Sequence, residues 1–89
     1  MIETRQVTLN TTTPVQIATP DDSPQHVYIH NQASNNASDV FVGGSAVTIT
    51  TGLEIPHDSN LSFVLGAGDA LFAIASFDAP VVDVMQVKL

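Results

Sequence analysis

Three histidines carry the strongest candidate chemistry in this chain. His26 and His30 lie four residues apart, which on a helix would put both on one face at metal-ligand spacing. The segment around them, Val27-Tyr28-Ile29-His30-Asn31, alternates as a strand does. On a strand, four residues separate Cα atoms by about 13 Å, too far for both side chains to share one ion. The pair therefore reads as polar residues flanking Tyr28 on an outward face. His57 and Asp58 are adjacent in a turn cluster, where neighbouring side chains diverge. A serine nucleophile would need a Gly-x-Ser-x-Gly elbow, and the sequence has none. Gly43-Gly44-Ser45 leads into β-branched residues rather than the helix N-terminus of an oxyanion hole or phosphate cradle. A cupin-like metal site would need a His-x-His cluster, and His26-x-x-x-His30 has the wrong spacing.

Asp21-Asp22-Ser23 offers clustered oxygens on a loop, the ligand type that suits calcium. It lacks the alternating spacing and distal glutamate of a calcium loop, so it reads as an acidic, solvated turn. Three Asn-x-Ser/Thr sequons, at Asn10, Asn36 and Asn60, are incidental without a secretion signal. No catalytic residue, metal or cofactor is assigned, and the expectation is a non-enzymatic protein.

The residues sit in segments cut by turn signals. Gln6–Leu9, Val15–Ile17, Val27–Asn31, Val40–Val42, Ala46–Thr50, Leu53–Ile55, Leu61–Leu65, Ala70–Ser76 and Val81–Leu89 read as short strands or parts of strands. Prolines, glycines and Asn/Asp/Ser clusters separate them. Ala70–Ser76 is nearly all apolar, as a strand covered on both faces would be. About eight strands at this spacing predict an all-β fold, an antiparallel β-sandwich or jelly-roll-like barrel, in a single domain over residues 1–89. Val, Ile and Thr fill 26 of the 89 positions, which argues against disorder.

Charge narrows the partners. Nine Asp and Glu face two Lys and Arg, for a formal net charge of −7. The cations are Arg5 and Lys88, so no fixed positive charge lies between Gln6 and Val87. Nucleic acid and anionic membrane surfaces are thereby disfavoured as partners. Cysteine is absent, which excludes disulfides and thiolate metal sites. The N-terminal residues do not read as a secretory signal, and synthesis in a host cytoplasm is expected.

Surplus apolar residues point to a partner. Val64, Phe72, Ile74, Val81, Met85 and Leu89 fall where simple alternation would expose them. Several such side chains in water would be a liability. The terminal segments Met1–Leu9 and Val81–Leu89 are expected at sheet edges, available to another chain. Ile2, Val7, Leu9, Val81, Met85, Val87 and Leu89 are the candidate subunit-interface residues, in a homo-oligomer for which a trimer is favoured over a dimer.

Val40-Phe41-Val42-Gly43-Gly44-Ser45-Ala46-Val47-Thr48, Gly52-Leu53-Glu54-Ile55-Pro56, Leu61-Ser62-Phe63-Val64-Leu65 and Gly68-Asp69-Ala70-Leu71-Phe72-Ala73-Ile74-Ala75 follow one another in a familiar order. This succession, with Val27-Tyr28-Ile29-His30-Asn31 upstream, resembles small β-sandwich virion accessory proteins of tailed bacteriophages. The resemblance spans roughly Val15 to Ala75, departing in Phe72, where the family often has Tyr, and in the long acidic turn. It implies a capsid decoration (cement) protein on the exterior of the virion. Such a protein would dock on the major capsid protein of the phage head and stabilise neighbouring capsomers. The alternative it implies is a tail or fibre module that binds a host receptor or glycan. It carries over no catalytic residue. Gly43-Gly44 and Gly66/Gly68 are expected to allow positive-φ turns, with Asp69 accepting from turn amides.

Overall fold

A computed structural model of the chain describes residues 2–32 and 38–89. The Asn36 sequon and most of the expected connection between Asn31 and Asp39 lie outside them. Among the described residues all regular structure is β: β1 (Ile2–Thr8), β2 (Val15–Ala18), β3 (Gln25–Asn31), β4 (Val40–Gly43), β5 (Leu53–Ile55), β6 (Asn60–Leu65), β7 (Leu71–Ala75) and β8 (Val81–Lys88). They form two four-stranded antiparallel sheets, β1-β8-β3-β6 and β2-β7-β4-β5. Thus β1 pairs with β8, β2 with β7, β3 with β6 and β4 with β5, the pattern of one long hairpin bent at β4–β5 and rolled into two layers. That is the jelly-roll order, and it sharpens the expected sandwich or barrel to one topology.

The strand patterns explain the layers. In β3, Gln25, Val27, Ile29 and Asn31 are buried while Tyr28 is exposed and both histidines half-buried, as the two-residue period requires. In β8, Val82, Val84 and Gln86 turn inward and Asp83, Met85 and Val87 outward. The core joins Val27, Ile29, Val82 and Val84 of one sheet to Ile17, Val40, Val42, Leu71, Ala73, Ala75 and Ile55 of the other. Burying a large aliphatic side chain of this kind contributes about 1.5–3 kcal/mol.

Turn chemistry sets the connections. Asn10 Oδ1 accepts from the amides of Thr12 and Thr13 at 2.9 and 2.7 Å, which turns the threonine run into an Asx-type bend. Ala46–Thr50, expected to be a strand, is instead part of the β4–β5 loop. Thr48 and Thr51 satisfy their own backbone there: the Thr48 amide donates to Thr51 Oγ1 at 3.0 Å, and the Gly52 amide donates to the Thr48 carbonyl at 2.9 Å. Val47 folds inward from this loop so closely that a Cβ on Gly52 would stand 2.7 Å from Val47 Cγ2. Among the glycines only Gly68 has positive φ, at 80°, so Gly43-Gly44 make their turn without the left-handed conformation.

The terminal strands also depart from expectation. Val81–Lys88 is not at an edge but is paired on both sides, by β1 and β3, and its ladder is closed to another chain. Only β1 of the two is an edge strand.

Candidate functional site

Of the polar residues raised by the sequence, His26, Tyr28 and His30 lie on the outer face of the β1-β8-β3-β6 sheet, while the acidic turn and His57 lie elsewhere, the His57 amide against Asp39 Oδ1 at 3.4 Å. Register alone builds that face in three rungs. Gln6, Asp83, His30 and Asn60 align across the four strands; Thr4, Met85, Tyr28 and Ser62 form the next rung; Ile2, Val87, His26 and Val64 form the third. The face therefore grades from polar at one end to apolar at the other. A concavity of about 850 Å³ lies over the first two rungs, within the range of small-molecule sites.

Asp83 is the hub of the polar rung. Its Oδ1 accepts from Gln32 Nε2 at 2.8 Å and Gln6 Nε2 at 3.1 Å, and its Oδ2 lies 3.5 Å from His30 Nδ1. The Gln32 amide above all, then Gln6 and His30, hold its carboxyl below the usual carboxylate range against a desolvation cost. On the other side of His30, Nε2 lies 3.6 Å from Asp58 Oδ1. His30 thus sits between two carboxylates, with both ring nitrogens so occupied. His26 instead stacks on Tyr28, centroids 4.5 Å apart, with the Tyr28 hydroxyl 3.3 Å from His26 Nδ1. The two histidines share a face but not a site, as strand spacing requires. Among the described residues no group of three His, Cys, Asp or Glu side chains is arranged to hold a metal ion.

The acidic turn is accounted for locally. Asp21 Oδ1 accepts from the Ser23 amide at 3.0 Å and lies 3.4 Å from Lys88 Nζ. The Ser23 amide, with Lys88, keeps the Asp21 carboxyl low. Elsewhere Asp39 pushes the Glu54 carboxyl above its ordinary value, by a shared hydrogen bond and like charge.

Both cations are engaged within the chain. Arg5 lies on the inward side of β1 and donates to the Ile17 carbonyl at 3.1 Å and to Gln86 Oε1 at 2.6 Å. Gln86 in turn donates to Gln25 Oε1 at 2.6 Å and to the Thr19 carbonyl at 3.1 Å. This buried amide network closes one end of the sandwich. Strand alternation puts Gln86 on the same side as Val82 and Val84, but its partners lie far away along the chain and leave no local signal.

The interface candidates divide by face. Leu9 is a core residue and Val7 packs against the core, so both serve the monomer's interior. Val81, Met85 and Val87 are half-buried on the outer face, while Ile2 and Leu89 are 66% and 64% exposed. Of the other apolar residues expected outside, Ile74 is buried beside its cross-strand partner Phe41, Phe72 is half-buried, and Val64 is 58% exposed.

Comparison with known proteins gives no matching family model and no matching curated protein. Among solved structures, a chain from the Bacillus endospore appendages, described as a novel family of disulfide-linked pili, matches with a TM-score of 0.57. Sequence identity is 14%, and the match covers 100% of this chain and 86% of that one. At that identity the likeness shows the fold alone.

Proposed function

We propose that the protein is a structural building block of a larger particle, specifically a decoration protein that docks on the outside of a tailed-phage head. The observation that carries the reading is the apolar rung of the outer face. Ile2 and Val64 stand exposed at its two ends with Val87 and the half-buried His26 between them, and Leu89 extends the same side of β8. A chain of this size gains little from leaving such residues in water, whereas a capsomer or a second copy would cover them. The phage-like succession from Val40 to Ala75 supplies the specific partner, the major capsid protein. The acidic charge suits a surface facing away from packaged DNA. The pilus likeness supports the broader reading, because a chain of the same fold serves there in an assembly. Lacking cysteine, this chain would assemble without disulfide links.

The test is to add purified protein to undecorated shells. Wild type is expected to bind in many copies per particle and to slow heat inactivation. Ile2→Asp and Val64→Asp are expected to abolish binding while the isolated protein melts as before. Undiminished binding by both variants would remove the apolar rung from the mechanism. A few copies per virion would place the protein in the tail or a fibre.

A further inference from the structure

The polar two-thirds of the outer face is left unused by that docking surface, and its chemistry points to a different ligand. We propose that the concavity over the Gln6 and Tyr28 rungs binds a neutral oligosaccharide. Tyr28 would supply the apolar platform, and Gln6, Asp83 and Asn60 the hydroxyl partners.

The charge pattern restricts the ligand first. Arg5, the only lysine or arginine on β1, is turned inward to Ile17 and Gln86, and Lys88 is held by Asp21. The concavity instead has the Asp83 carboxylate in its polar rung, with Asp58 beyond His30. Arg5 also lines the concavity, but its guanidinium is engaged by Ile17 and Gln86, so phosphate, sulfate and acidic sugars would meet the carboxylates with little to offset the repulsion. Ile29, Leu61, Val84 and Met85 also line the concavity, so apolar surface lies between its polar groups.

The remaining chemistry suits a polyol. A sugar presents hydroxyls that both donate and accept, set around a ring whose C–H faces are apolar. Tyr28 is 39% exposed and leans along the strand toward His26, which stacks on it. Its ring therefore stands at the boundary of the cavity, where an amphipathic aromatic is most useful. Around it are amide, carboxylate and hydroxyl groups of both hydrogen-bonding senses: Gln6, Asn60, Ser62, Thr4 and Asp83. Asp83 is already fixed by Gln32, Gln6 and His30, so the remaining lone pair of its Oδ2 is aimed before any ligand arrives. This inference stands apart from the docking reading, since it uses different rungs of the face and applies to a head or a tail protein alike.

Tyr28 is the sole tyrosine and the chain has no tryptophan, so its emission reports on this site alone. The experiment titrates full-length protein with neutral oligomers of glucose, mannose, galactose and N-acetylglucosamine, with oligogalacturonate and oligolysine as charged controls. At least one neutral oligomer is expected to give a saturable change in emission, and the controls none. By calorimetry, Tyr28→Ala and Gln6→Ala should each weaken that binding about 10-fold or more with the circular dichroism unchanged. Should Tyr28→Ala fail to fold, Asn60→Ala takes its place. The proposal is overturned if no neutral oligomer binds at millimolar concentration, if only a charged control binds, or if the variants bind as wild type does. It is also overturned if concentrating the protein alone buries Tyr28 in a dimer.

Discussion

The Arg5 guanidinium donates from Nη1 to the Ile17 carbonyl at 3.1 Å and so ties the edge strand of one sheet to the edge strand of the other. A jelly roll has such a seam because its two sheets share no backbone ladder. Here the seam is closed by a side chain that also bonds Gln86, and through it reaches Gln25 and Thr19. Arg5→Met keeps most of the apolar stem and removes the donors. It is expected to lower stability by about 1–3 kcal/mol, because Gln86 Oε1 and the Ile17 carbonyl lose a charged partner. Urea unfolding measures this, and an unchanged midpoint would show the seam to be held by packing alone.

Asn31 closes the opposite end. Its side chain is fully buried, and Nδ2 donates to the carbonyls of Ser38 and Ile55 at 2.9 and 3.0 Å. Asn31→Ala removes both bonds where water cannot replace them. The expected cost is about 1–3 kcal/mol for each carbonyl left without its donor. Thermal melts should show a larger loss than for Asn60→Ala, whose side chain is on the exposed outer rung.

Acid should weaken the fold through Asp83. Its carboxyl titrates below the usual range in the folded chain, so the unfolded chain binds the proton more readily. The resulting stabilisation is fully present above the ordinary aspartate value of about 3.9 and is lost as pH falls through the lowered folded value. Asp83→Asn should flatten that part of the stability profile. Equal acid sensitivity in the two proteins, measured by urea midpoints at neutral and strongly acidic pH, would contradict this.

Glu54 behaves in the opposite sense. Asp39 raises its carboxyl, so the folded chain holds the proton more tightly than the unfolded chain does. Stability therefore declines as pH rises from the ordinary glutamate value through the raised one, and the penalty persists at neutral pH. Glu54→Gln should melt slightly higher than wild type at pH 7 and lose that advantage in acid. The residue is exposed, so the gain is small and should shrink further with added salt.

What could be read from the sequence followed the range of the physics involved. Strand positions and faces are local, fixed by alternation and turn residues, and His26, Tyr28 and His30 landed outward as read. Ala46–Thr50 misled because β-branched threonines favour strands, while their hydroxyls here bond neighbouring backbone and stabilise a loop. Pairing is non-local, and no local signal shows that β8 inserts between β1 and β3. Leu9 was read as an interface residue for the same reason: nothing near it in sequence reveals that it packs on the core. The Asp83–His30 contact, a cross-strand pairing of distant segments, was invisible for that reason too.

The insertion of β8 between β1 and β3 has a consequence for biosynthesis. Strand β1 has no ladder partner in its sheet until Val81–Lys88 has been made. Only β4–β5 joins strands adjacent in sequence, so nearly all pairing must wait for distant segments to meet. Slow folding is the expected regime for a topology so rich in long-range contacts. A chain that stops before Val81 would lack the central strand of one sheet, and β1 would be left without a place in the fold.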